Sequence, residues 1–318
     1  MRIYLLLLPI VFLTSCCECD VHPLCDGLSD NIDYNSEQIN RKILVIGIDG
    51  IRSDVIQDTI SPFLYNLSQN SNAYYTDNHQ VEEYTYSGPN WSSILTGVHW
   101  FKHNVPDNDF SDTNYDEFPT FFDYIERIDK SINTASIVNW TPINNHILSD
   151  VVDYAPLESL SDLDVFELTK GILLNDNPMS GDVIFLHFDE LDGAGHGYGF
   201  SKDVYEYTST LGIIDTYVES LFNIIDQKRF NGEDWMICIV SDHGGDGTGH
   251  GDYSNPYINQ TVFFAEHPNI QFLDNYISSM PDLAPTILDF LGIYSERFHC
   301  KTDGVSLIGW DIEDGITL

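Results

Sequence analysis

Residues 42–48, Lys-Ile-Leu-Val-Ile-Gly-Ile, carry no polar side chain after the first position. An apolar run this short and without polar alternation suits a strand covered on both faces, as inside a parallel sheet. Such a strand needs a layer of structure on each side, which restricts the architecture strongly. Similar runs recur at 134–138, 182–188, 235–240 and 261–265, and stretches with helical spacing lie at 60–68, 120–128, 163–174, 204–225 and 283–291. This alternation predicts an α/β fold: a largely parallel central sheet sandwiched by helices. The 318 residues suffice for a sizeable core. No internal repeat and no linker past residue 40 is visible, so residues 41–318 are expected to form one domain.

The N-terminus reads differently. Residues 1–20, MRIYLLLLPIVFLTSCCECD, have one Arg, a short apolar run and then small residues, the pattern of an export signal. The run is too short to span a bilayer. Leu13-Thr14-Ser15-Cys16 resembles a bacterial lipobox, whose cysteine becomes the lipidated first residue; ordinary cleavage nearby is the alternative. Either route takes the mature chain out of the cytosol, to the cell envelope as a periplasmic or surface lipoprotein or into the medium. Membrane attachment is expected only if Cys16 is acylated. Residues 21–40 are polar and aperiodic and read as a tether. Of the six cysteines, none has zinc-ribbon spacing with a second pair, and Cys238, within an apolar run, reads as core. Cys25 and Cys300 could pair in an oxidising compartment, which sequence does not establish.

Thirteen basic residues face 50 acidic ones, a net charge of −37. That surface repels nucleic acid and anionic lipid headgroups, so polymeric DNA or RNA is excluded as a partner. Bound cations offsetting part of the charge would fit; solubility alone explains it as well.

In sheets of this kind, sites form beyond the carboxyl ends of the strands. Asp49 follows the first run, Asp192 and His196 follow the run at 182–188, and Asp242, His243 and His250 follow the run at 235–240. Singly, each has an ordinary structural reading as a helix cap, turn residue or structural histidine. Together they are three carboxylates and three imidazoles at one sheet edge, the oxygen and nitrogen donors that zinc accepts. Residues 86–97 read as a short helix with Pro89 in its first turn and Gly97 just past its end. Ser87 at its mouth is either an N-cap or a hydroxyl placed to attack or bind something phosphate-like. Tyr74, Tyr75, Tyr84, Tyr86, Trp91 and Trp100 either line a pocket or belong to the core and strand surfaces. Sequons at Asn66, Asn90 and Asn259 are read as chance.

Ile46-Gly47-Ile48-Asp49-Gly50, Ser87-Gly88-Pro89-Asn90 with Leu95-Thr96-Gly97, Asp192-Gly193-Ala194-Gly195-His196, Ser241-Asp242-His243-Gly244 and Gly249-His250-Gly251 resemble the ordered signature of the alkaline phosphatase superfamily. The branch they resemble most is the type I phosphodiesterase/nucleotide pyrophosphatase group. The resemblance implies two zinc ions: one held by Asp49, Asp242 and His243 and contacting Ser87, the other by Asp192, His196 and His250. It implies Ser87 as nucleophile. Residues 103–108 resemble the family's His-Gly-x-x-Asp-Asn stretch, which implies Asn108 as a hydrogen-bond donor to a phosphoryl oxygen; a plain turn residue is the alternative. Gly88 stands where nucleotide-cleaving relatives often have an aromatic, and Trp91 follows where a formylglycine sulfatase needs Arg. The expectation is an exported hydrolase of phosphodiesters or phosphoanhydrides acting on a small phosphate ester. The alternatives are a phosphomonoesterase, a phosphoethanolamine-type transferase, or a catalytically silent surface lipoprotein that only binds.

Overall fold

The run at 42–48 is strand β2, central in the sheet and buried from Ile43 onward. The computed structural model describes residues 25, 27–29, 31–128, 132–175 and 181–309. The export segment and Cys16 lie outside the described residues. In chain order the strands are β1 (Ile32–Tyr34), β2 (Lys42–Ile48), β3 (Ala73–Gln80), β4 (Thr134–Val138), β5 (Val183–Phe188), β6 (Trp235–Val240), β7 (Gln260–Glu266) and β8 (Ile293–Ser295). The helices are α1 (Pro62–Ser68), α2 (Ser87–Thr96), α3 (Trp100–His103), α4 (Phe121–Ile128), α5 (Asp162–Leu173), α6 (Glu190–Tyr198), α7 (Tyr205–Phe230), α8 (Pro256–Asn259), α9 (Leu283–Phe290) and α10 (Glu296–Lys301).

Six strands form one sheet in the order β3-β7-β6-β2-β5-β4. β2 runs parallel to both β5 and β6, and β4 runs parallel to β5. At one edge the direction reverses, where β7 is antiparallel to β6 and to β3. The reason is the connection. Between β6 and β7 there is a loop and the four-residue α8, with no crossover helix of the kind that returns a chain to a parallel start.

Alternate residues of β2 feed two cores, as the strand period of two requires. Ile43 and Val45 pack with Trp91, Ile94 and Leu95 of α2, Phe121 and Ile125 of α4 and Ile287 and Leu288 of α9. Leu44, Ile46 and Ile48 pack on the opposite face with Leu64 of α1, Val165 of α5 and Leu211, Val218 and Leu221 of α7. Burying each of these β2 side chains contributes roughly 1.5–3 kcal/mol relative to exposure. The sheet is therefore covered on both sides, as expected. No helix among the described residues is long and apolar enough to cross a membrane.

The tether expected over 21–40 is corrected in its described part. Ile32–Tyr34 pairs antiparallel with β8, and a disulfide joins Cys25 to Cys300, 275 residues away. Both partners come from the far end of the chain. The local polar composition carries no trace of the strand pairing, whereas the disulfide is the pair that the cysteines allowed.

Candidate active site

The order β6-β2-β5 puts three strand ends side by side. Asp49 leaves β2. Beyond β5, the first turns of α6 set Asp192 and His196 one helical turn apart on one face. Asp242 and His243 leave β6, and the glycine-rich loop after them folds back to bring in His250, which stacks on His243 with ring centroids 3.8 Å apart.

Backbone carbonyls orient all three imidazoles alike. Nδ1 of His243 lies 2.9 Å from the Gly244 carbonyl, that of His250 2.6 Å from the Thr85 carbonyl and that of His196 2.9 Å from the Thr248 carbonyl. A carbonyl only accepts, so Nδ1 donates in each ring, the tautomer that in a neutral imidazole leaves the lone pair on Nε2. These lone pairs converge: Nε2 of His250 is 3.2 Å from Nε2 of His196. Around them Asp49 Oδ1, Asp192 Oδ1 and Asp242 Oδ2 are buried without a hydrogen-bond donor. Asp242 Oδ2 lies 3.3 Å and Asp49 Oδ1 3.5 Å from His243 Nε2, and Asp192 Oδ2 lies 3.3 Å from His196 Nε2.

Charge crowding leaves the same imprint. Burial, then the charges of Asp49 and Asp189, push Asp192 up to about 9. Burial, then Asp49 and Asp192, raise Asp242 well above the carboxylate range. Burial opposes the ionised form of Asp49 too, but His187, His243 and Trp91 together outweigh it and hold Asp49 below the usual range. Burial, then the neighbouring His250, lowers His243 to about 3. Neutral imidazole lone pairs facing donor-less carboxylate oxygens form a set that fits a divalent cation, and the mix of nitrogen and oxygen suits zinc. Ligand atoms of Asp49, Asp242 and His243 lie within 4.8 Å of one another, and so do those of Asp192, His243 and His250. His243 thus sits between the two groups, with His196 against Asp192 and His250.

The wholly buried α2 ends at Gly97 in the left-handed conformation, φ 75°. Ser87 is its first residue, just after the N-cap position at Tyr86, and its Oγ lies 3.4 Å from His243 Nε2. Asn108 is also here, with its Oδ1 accepting the Gly88 N–H at 2.7 Å, so that its NH2 is left to donate elsewhere. A Cβ on residue 88 would lie 2.6 Å from the Asp107 carbonyl oxygen and 2.8 Å from Asn108 Oδ1. The aromatic of nucleotide-cleaving relatives cannot stand there without moving this loop.

Of the aromatics considered for a pocket, Tyr74 and Tyr75 lie in β3 against Phe263 and Phe264. Tyr84 stands edge-on to Trp100. Tyr86 is exposed, its ring roughly perpendicular to that of His250. Asn90 is fully buried, its NH2 bonded to the carbonyls of Tyr84 and Tyr86, which leaves no acceptor for a glycan. Sequence reasoning missed His187 and Asp189, whose ligand atoms lie within 4.8 Å of Asp49. The signal was a histidine inside an apolar run, paired in register with Gly47.

A family model described as type I phosphodiesterase / nucleotide pyrophosphatase matches residues 43–282. The bis(5'-adenosyl)-triphosphatase ENPP4 of Bos taurus is 24% identical over 248 residues, which are 70% of this chain and 51% of that protein. The chain thus spans about half the length of that curated relative. The solved structure of a 2-O GAG sulfatase superposes with a TM-score of 0.64 at 14% identity, covering 84% of this chain and 73% of that one. The C-terminal periplasmic domain of EptC from Escherichia coli, solved in complex with Zn, gives 0.58 at 15% identity, with 85% and 87% covered.

Proposed function

From its place in the type I phosphodiesterase / nucleotide pyrophosphatase family, to which the chain belongs, we propose that it is an exported, metal-dependent hydrolase of phosphodiester or phosphoanhydride bonds. The observation that carries this reading is the convergence of three Nε2 lone pairs and three donor-less carboxylate oxygens beside a hydroxyl at a helix N-terminus. Asp49, Asp242 and His243 would hold one divalent ion against Ser87, and Asp192, His196 and His250 the other. Bound zinc would lower the pKa of a hydroxyl or water on it and neutralise charge on the transferring phosphoryl group.

The chain's own groups account for the rest. Ser87 Oγ attacks phosphorus, the bond to the leaving oxygen breaks and that oxygen takes the hydroxyl proton, leaving a phosphorylated serine; water then attacks phosphorus, the bond to Oγ breaks and a proton of that water restores the Ser87 hydroxyl. The partial positive charge at the N-terminus of α2 favours the phosphoryl group, and the Asn108 NH2 donates to one of its oxygens. The net charge of −37 favours a small substrate with little negative charge. The Cys25–Cys300 disulfide supports an oxidising, extracytoplasmic location, with Cys16 as the lipid attachment point if the leader is processed as a lipoprotein signal.

The test compares zinc-loaded protein on bis-p-nitrophenyl phosphate, p-nitrophenyl phosphate and p-nitrophenyl sulfate. Diester turnover should exceed the other two and vanish in Ser87→Ala with zinc content unchanged. Normal turnover in that variant would remove Ser87 from its role, and monoester preference would move the protein to the phosphatases.

A further inference from the structure

Two side chains outside the proposed ligand set grip Asp49 from behind. The indole N–H of Trp91 donates to Asp49 Oδ2 at 3.1 Å, and Nε2 of His187 lies 3.2 Å from the same oxygen. All three side chains are fully buried. An indole N–H can only donate, so Oδ2 is an acceptor whatever the state of its surroundings. With His187 donating through Nε2, both bonds fall on one oxygen. The other oxygen, Oδ1, has no donor and faces His243 Nε2 at 3.5 Å.

Trp91 lies one helical turn after Ser87 on α2. A single hydrogen bond therefore ties the helix of the proposed nucleophile to the carboxylate at the end of β2. The seat for the indole is built into the sheet. A Cβ on Gly47 would lie 2.7 Å from its ring carbon Cη2, and the ring stands edge-on to His187, centroids 4.8 Å apart.

We propose that Trp91 and His187 are positioning residues, which saturate Oδ2 so that Asp49 presents Oδ1 alone to a metal ion and keeps Ser87 in step with it. The inference rests on the metal-site reading above. Partners of this kind, which orient a metal ligand without touching the metal, typically contribute 10–100-fold in metal affinity.

The experiment measures zinc stoichiometry and affinity by competition with a chromophoric chelator, for the wild type, Trp91→Phe, His187→Phe and His187→Gln. Thermal unfolding of each metal-free protein runs beside it. The wild type should bind two zinc ions. Trp91→Phe and His187→Phe should weaken one of them by about 10–100-fold and leave the other unchanged. His187→Gln, whose side-chain N–H reaches about where Nε2 lies, should restore most of that loss. Equal weakening of both ions, or no rescue by Gln, reduces the pair to packing and overturns the inference. A third zinc equivalent that disappears in His187→Phe makes His187 a ligand with Asp49 and Asp189, which overturns it as well. Two ions bound with unchanged affinity in every variant overturn the inference alone; a wild type that binds no zinc overturns the site reading with it.

Discussion

The backbone at Gly88 leaves room for one hydrogen where any other residue would put a carbon. The Asp107 carbonyl and the Asn108 side chain fill the space a Cβ needs, and the neighbouring carbonyl cannot yield without moving the whole 107–110 turn. Gly88→Ala should therefore displace Asn108 while leaving the carboxylates and imidazoles in place. The expected result is a loss of about 100-fold in kcat, the scale of a misplacement near 1 Å, with zinc content unchanged in the same preparation. A rise in KM alone, with kcat unchanged, would mean that Asn108 binds substrate without acting on the transferring group.

Helix α2 is buried along its whole length, so its position depends on how its ends are held. At the C-terminal end the Gly97 carbonyl accepts from the Thr302 hydroxyl and from the N–H groups of Asp303 and Gly304. Gly97→Ala puts a Cβ on a left-handed residue 3.1 Å from Ala284 and Phe298. It should destabilise the protein by about 1 kcal/mol or more, read as a lower Tm with the remaining activity per folded molecule little changed. This helix was legible in advance because Pro89 and Gly97 punctuate it, and β2 and β6 were legible because nothing polar interrupts their apolar runs. Strand β3 was not, since AYYTDNHQ mixes polar and aromatic residues at a sheet edge. Nor was the reversed direction of β7, since a strand buried on both faces carries no mark of its direction. At the site, the resemblance supplied the carboxylates and imidazoles because their spacing is local to three loops. Trp91 and His187 escaped because an aromatic in an apolar helix and a histidine in an apolar strand look like core until their common partner, Asp49, is seen.

At the scale of the whole molecule, buried histidines outside the proposed ligand set contribute to the response to acid. Burial lowers His79 to about 3, and burial followed by the charge of His99 lowers His103 to about 3. The unfolded chain takes up these protons below the ordinary histidine value of 6.5, so between there and about 3 it binds more protons than the folded protein. Stability should fall as pH drops through that window. Asp162, pushed up to about 6 chiefly by burial, works in the opposite sense over the upper part of it. His79→Gln should accordingly show a shallower decline of Tm from pH 6.5 to 4 than the wild type, and an identical slope would remove His79 as a cause. The disulfide acts on the same scale: Cys300→Ser should lower stability by about 2–4 kcal/mol, measured by denaturant unfolding. That bond also changes what a protease can accomplish. Any single cut between Cys25 and Cys300 turns a closed ring into an open one and frees nothing, so a nicked molecule should migrate as one band on a denaturing gel and separate into two only after thiol treatment. A chain closed this way can be clipped in an exposed loop and stay one covalent piece.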